Sequence, residues 1–205
     1  MTEALKKHLA RCEQAVQAAK PILAQHGFPD DRRTLTVIGF VSILIEHQEA
    51  ILILVNHGLP GSAAALFRPV VEGSYRALFF NLPASDEQVN NFVVKDELPL
   101  KFGEIAAALD TAYGMDDFFQ DFKNRSWGHL NSYTHGGMHQ IGRRFLKGEV
   151  ANNYPDAELY ELTTSATTIV LLTISIFLKR HGHAESAARI DALMEKYGSQ
   201  VGGLA

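Results

Sequence analysis

A chain of 205 residues has the length of one domain, or of one domain with a helical arm. With 46% hydrophobic and 20% charged residues its composition is that of a globular protein, and disorder is not indicated. The formal net charge of −4 excludes nucleic-acid binding through a wholly basic surface, and the lone Cys12 excludes an intramolecular disulfide or a zinc site built on several cysteines.

The first element is helical. Leu5, Leu9, Cys12, Val16, Ala19 and Leu23 step by four and three along one face, Pro21 kinks the last turns and Gly27 ends them. Residues 1–27 thus form a packing N-terminal helix, and Met1–Lys7 is too polar for the apolar core of a signal peptide. Asp30-Asp31 caps a second helix that runs to Gly58. At about 1.5 Å per residue that helix is roughly 40 Å long, the spine of the domain. Its apolar run carries Glu46, His47, Gln48 and Glu49 at the centre, so it reads as a core helix. Residues 168–178 read the same way, being shorter than the roughly 20 residues a membrane span needs. The expectation is a cytoplasmic protein with no membrane partner.

Pro60-Gly61-Ser62 opens a third helix through about Phe80, with Pro69 inside it. Ser85 and Gln88 have capping-box spacing and start a short fourth, and Pro99 and Gly114 bracket a fifth. Residues 116–147 are helical but broken near Gly136-Gly137. Pro155 starts a long helix that ends at Gly182, a last helix spans 184–197, and Gly202-Gly203 marks a fraying tail. Period-two alternation is absent, so essentially no sheet is expected. The predicted architecture is all-α: a single helical domain over 1–205, folded as an irregular antiparallel bundle of about 8–9 helices.

Charge is uneven in the middle of the chain. Residues 86–121 hold nine acids against Lys95 and Lys101, whereas 122–148 holds Lys123, Arg125, Arg143, Arg144 and Lys147 with no acid. A basic face paired with the acidic stretch, or simply solvated, has this composition. The same stretch also has the parts of an anion site. In Ser132-Tyr133-Thr134-His135-Gly136-Gly137, the glycines permit a sharp turn and close approach of a ligand. A helix restarting at Gly137 or Met138 presents free N–H groups, and Gln140, Arg143 and Arg144 add donors suited to phosphate or carboxylate. His135 is the candidate general acid/base.

A second polar set lies on apolar helices. Arg68 and Glu72 are four apart, share one face with Arg76, and can meet Glu46, His47 and Glu49 as a buried network or contribute to the His135 site. His135 and His139 have the spacing of metal ligands on one helix, but Gly136-Gly137 interrupts it, and the Glu-x-x-His pair of di-iron bundles is missing. No metal and no cofactor are expected. Walker A, dinucleotide-binding and nucleophile-elbow motifs are missing too.

Leu66-Phe67-Arg68-Pro69-Val70-Val71-Glu72, together with Tyr133-Thr134-His135-Gly136-Gly137 and Gln140-x-x-Arg143-Arg144, resembles a family of bacterial all-helical proteins whose function is unassigned. The resemblance covers roughly residues 35–180 and implies an all-α fold. More distantly, the layout is similar to HEPN domains, helical dimers that include toxin and phage-defence ribonucleases. Those enzymes place Arg before His on one helix with a short spacer. Here Arg125 precedes His129 with three residues between, and Arg143 and Arg144 follow His135. The resemblance implies a HEPN-like protein that binds RNA or a phosphorylated ligand. The alternative is a non-catalytic binding or assembly module, acting as a homodimer or with a partner protein.

Overall fold

The computed structural model describes residues 1–98 and 100–198, so the expectations for Pro99 and for the Gly202-Gly203 tail lie outside the described residues. Nine α-helices occur among them. Thr2 caps α1 (Glu3–Ala24) and Asp31 caps α2 (Arg32–Asn56), each side chain accepting from a backbone N–H three residues on. Pro60 sits at the first position of α3 (Pro60–Asn81), where its missing N–H costs nothing. Ser85 and Gln88 close a reciprocal capping box on α4 (Asp86–Lys95). Next come α5 (Phe102–Tyr113), α6 (Phe118–Thr134) and the four-residue α7 (Met138–Ile141). Finally α8 (Asp156–Arg180) begins behind Pro155, and α9 (Ala184–Gly198) follows Gly182, which holds the left-handed φ of 79°.

The all-α expectation holds, with one addition. A two-stranded antiparallel hairpin, β1 (Phe145–Leu146) and β2 (Glu149–Val150), pairs Phe145 with Val150 and Leu146 with Glu149. Lys147 and Gly148 both take positive φ (52° and 85°), the backbone of a two-residue primed turn. Two residues per strand are too few for alternation to show in sequence.

Two apolar clusters form the interior. One gathers α1, α2, the start of α3, α8 and α9 around Leu5, Leu44, Ile51, Leu171, Ile174 and Leu178. The other joins the second half of α3 to α4, α5 and α6 around Phe79, Phe80, Ile105 and Leu109, with Phe177 reaching in from α8. Between α2 and α8 lies a buried polar contact: the Gln48 amide, fully enclosed, donates to Thr167 Oγ1 at 3.0 Å. Its Oε1 is buried without a hydrogen-bond partner.

By length and composition alone, α2 and α8 are each long and apolar enough to cross a membrane, as core helices of soluble proteins also are. They sit differently. The apolar window of α8 is 56% buried and that of α2 only 33%, although α2 is the more apolar. Its outward face carries Leu35, Ile43 and Ile53, each about half exposed.

Candidate functional site

Proline creates the local condition for the site. Because Pro69 has no N–H, the Ala65 carbonyl one turn back in α3 has no helical donor. The Thr134 hydroxyl, which bonds Leu130 O at 2.9 Å, also lies 3.4 Å from Ala65 O. This pins the C-terminus of α6 to α3. His135, the residue that ends α6, is thereby placed beside Arg68, 67 positions earlier.

The side chains form a row along α3. Arg68 Nε donates to Glu72 Oε1 at 2.6 Å, and Arg76 Nη2 donates to Glu72 Oε2 at 3.0 Å. Arg68 Nη1 lies 2.6 Å from His135 Nε2. A guanidinium has donors only, so Nε2 accepts and the ring proton sits on Nδ1. All three α3 side chains are more than two-thirds buried, while His135 is exposed.

An aromatic row backs this polar one. The Arg68 guanidinium lies 4.7 Å from the centroid of the Trp127 ring, Trp127 stacks on Phe102 at 4.2 Å, and Phe102 stacks on Tyr75 at 4.8 Å. Tyr75 is anchored by its hydroxyl, which donates to Phe119 O at 2.9 Å, and burial, with the Asp110 carboxylate, pushes its pKa well up. Asp110 in turn accepts from the N–H groups of Phe119 and Gln120, holding the start of α6. Beside the row opens a cleft of about 530 Å³ lined by Arg76, Lys101, Phe102 and Glu104, among others. Arg76 Nε is buried there without a hydrogen-bond partner. The site thus combines fork-shaped donors and an imidazole, backed by a stack of rings whose faces are taken by one another and by Arg68, a set suited to an anion.

The structure divides the residues singled out from sequence. His135, Arg68 and Glu72 meet, and Arg76 joins them. Arg143 and Arg144 go elsewhere: Arg143 Nη2 pairs with Glu158 on α8, and Arg144 Nη1 donates to Asn152, both at 2.5 Å. Tyr133 beside Arg143, and then Glu158, hold that guanidinium above its ordinary pKa. Gln140 Nε2 reaches the Gly61 carbonyl at 3.3 Å. Gly136 takes φ 68°, as the sharp turn requires, and Gly137 packs so closely on Ser132 that an added Cβ would lie 3.0 Å from its Cα. The N–H groups expected to face an anion are partly used: His139 N donates to Ser132 Oγ at 2.9 Å. Glu49 and His47 stay away from Arg68; Glu49 instead pairs with Lys20 and Gln17 of α1.

Sequence reasoning left Trp127 unplaced and missed Tyr75, Phe102 and Lys101. Their only signal was aromatic or basic character, shared with many residues that do other work. Among the described residues no group of three or more His, Cys, Asp and Glu side chains is arranged to hold a metal ion.

No curated protein and no solved structure matches the chain. A family profile does match, over residues 41–202, which takes in α3, α5, α6 and therefore the whole site. The chain belongs to DUF6988, a family of unknown function.

Proposed function

We propose that this protein binds a phosphorylated ligand, RNA first among them, in the manner of a HEPN-like helical protein of the toxin or defence type. The observation that carries the reading is Arg68, held at once by Glu72, His135 and the Trp127 face. A phosphate entering here takes the Nη donors of Arg68 and leaves Nε on Glu72. His135 Nε2 is then released to accept a proton from a ligand hydroxyl, the role of a general base. The stacked rings of Trp127 and Phe102 hold the Arg68 guanidinium in place from behind. Arg76 and Lys101 place further positive charge at the neighbouring cleft.

The test uses a fluorogenic RNA and a fluorescent mononucleotide with wild-type protein, His135→Ala and Arg68→Lys, all checked for folding. Arg68→Lys keeps the charge and loses the fork. Binding by wild type that falls about tenfold or more in Arg68→Lys supports the reading. Cleavage that disappears in His135→Ala makes the protein a ribonuclease. If wild type binds neither probe, or both variants bind as well as wild type, the reading is wrong.

The second reading, a non-catalytic assembly module, is favoured by a different observation, the outward face of α2.

A further inference from the structure

We propose that a pocket where the start of α2 meets the ends of α3 and α8 binds a free α-amino acid with a short side chain. Arg180 takes its carboxylate, and Asn81 and Asp31 take its ammonium. The pocket has a volume of about 260 Å³, and Asp31, Arg33, Asn81, Arg180 and His181 are its polar lining, with Val37 on its apolar side. It shares no residue with the Arg68–His135 site.

Asn81 supplies the first observation. It is the last residue of α3 and only 4% exposed. The Tyr113 hydroxyl donates to Leu78 O at 3.0 Å, so toward Asn81 it can only accept. The amide therefore turns Nδ2 to that hydroxyl, at 3.2 Å, and Oδ1 away from it. Oδ1 meets no donor among the described residues, yet it is not sealed in as Gln48 Oε1 is. The surface it keeps opens on the pocket, where an incoming donor satisfies it.

Charge supplies the second. Arg180 ends α8, is exposed and forms no ion pair with another described residue, so its fork can take a carboxylate. Arg33 is a fixed wall instead, its Nη groups held by Phe80 O, Ala84 O and Asp86. Asp31 accepts from the Thr34 N–H at 3.0 Å and the Thr34 hydroxyl at 2.8 Å, one bond to each oxygen. Those bonds hold its carboxyl below the usual range, so it is ionised at neutral pH and each oxygen keeps a lone pair for a cation. His181 ties the two charges together. Burial, then His183 and Arg180, lowers the pKa of its ring and Asp31 opposes them, so guanidinium and carboxylate both lie within reach of one imidazole. A phosphate here would be opposed by Asp31, and a simple amine would leave Arg180 unmatched. A ligand with both charges on one carbon answers both groups and Asn81 Oδ1 together. The volume lies below the roughly 300–1,000 Å³ of drug-sized ligand sites, which keeps the side chain short.

The experiment titrates the full chain with glycine, L-alanine and L-serine, followed by calorimetry and by the side-chain amide resonances. Propionate and L-alaninamide are the comparison probes, each lacking one of the two charges of L-alanine. Arg180→Gln changes an exposed side chain, and circular dichroism checks its folding. Wild type is expected to bind L-alanine with a dissociation constant below about 1 mM, and the Asn81 Nδ2 resonances shift as the site fills. Propionate and L-alaninamide bind about tenfold more weakly or worse, and Arg180→Gln weakens L-alanine by about tenfold or more. If none of the three amino acids saturates the wild-type protein, the proposal is overturned. Propionate binding as well as L-alanine makes the pocket a plain anion site, L-alaninamide binding as well makes it a plain cation site, and either overturns it too. L-alanine binding that Arg180→Gln leaves unchanged, or that the Asn81 amide does not sense, lies elsewhere and has the same consequence.

Discussion

Arg68 and Arg143 are the same chemical group in two settings. Arg68 sits on a three-membered row within one helix, backed by stacked rings, with side-chain exposures of 20% for itself and 16% for Glu72. Arg143 lies in the short segment after α7 and holds one carboxylate on α8, with exposures of 31% and 38%. In the first setting, Glu72 compensates two guanidinium groups at once, so its loss leaves two largely buried charges unmatched. In the second, solvent replaces whatever the pair loses. A basic residue in a sequence tells nothing of which setting it will occupy; the neighbours that decide it are supplied by other helices.

The comparison is put to its hardest test by Glu72→Ala, which is expected to destabilise the fold by about 3 kcal/mol, read from chemical denaturation. If the loss is under about 1 kcal/mol, the row is not the rigid element described. Glycines sharpen the contrast next. In Gly137→Ala the new Cβ meets Ser132 backbone at 3.0 Å and costs about 2 kcal/mol. In Gly61→Ala it meets the Arg144 guanidinium end at 2.6 Å, which can swing away at a small fraction of that cost. Equal losses in the two variants would show that Arg144 is as fixed as backbone. Glu158→Ala is expected to cost less than about 1 kcal/mol, and the loss should shrink further in high salt.

The smallest effect is with pH. Burial, then the charge of Arg11, lowers the pKa of His8 from its ordinary 6.5, and burial, then His183, lowers that of His181. The unfolded chain therefore binds the protons first, so stability is full above about pH 6.5 and is lost as pH falls below it. The melting temperature should decline from pH 7.5 to pH 5.5, and His8→Gln should flatten that decline. A melting temperature that rises over the same range would reverse the sign.

Much of the bundle was legible because helix ends are local chemistry. Asp31, Ser85 with Gln88, Pro60 and Pro155 each act within a few residues of themselves, and each stands where its spacing placed it. The face of α2 that turns outward was not legible, since Ile, Leu and Val populate both sides of that helix and periodicity fades. For the site, the Arg68–Glu72–Arg76 row could be read from i, i+4 spacing, and the turn at Gly136 from residue type. That His135 would meet Arg68 rather than Arg143 depends on α6 docking against the Pro69 gap in α3. The partner of Arg143 is on α8, whose position is set by the other core. Neither fact has a local signature.

Gln48 has one further consequence. Apolar helices slide: α2 advanced by one turn against α8 would still bury branched aliphatic side chains on branched aliphatic side chains, at little difference in energy. The amide resists the slip: one turn one way sets Leu171 where Thr167 stood, and one turn the other way brings Thr163, whose hydroxyl is already bonded to His8 and the Leu159 carbonyl. A displaced register leaves a donor stranded in hydrocarbon as well as the acceptor already unmet there. The residue thus works as a detent, the notch that lets a smooth shaft stop in one place. Gln48→Leu should accordingly yield a protein no less stable to denaturant but with broader amide resonances, a core that holds together without settling.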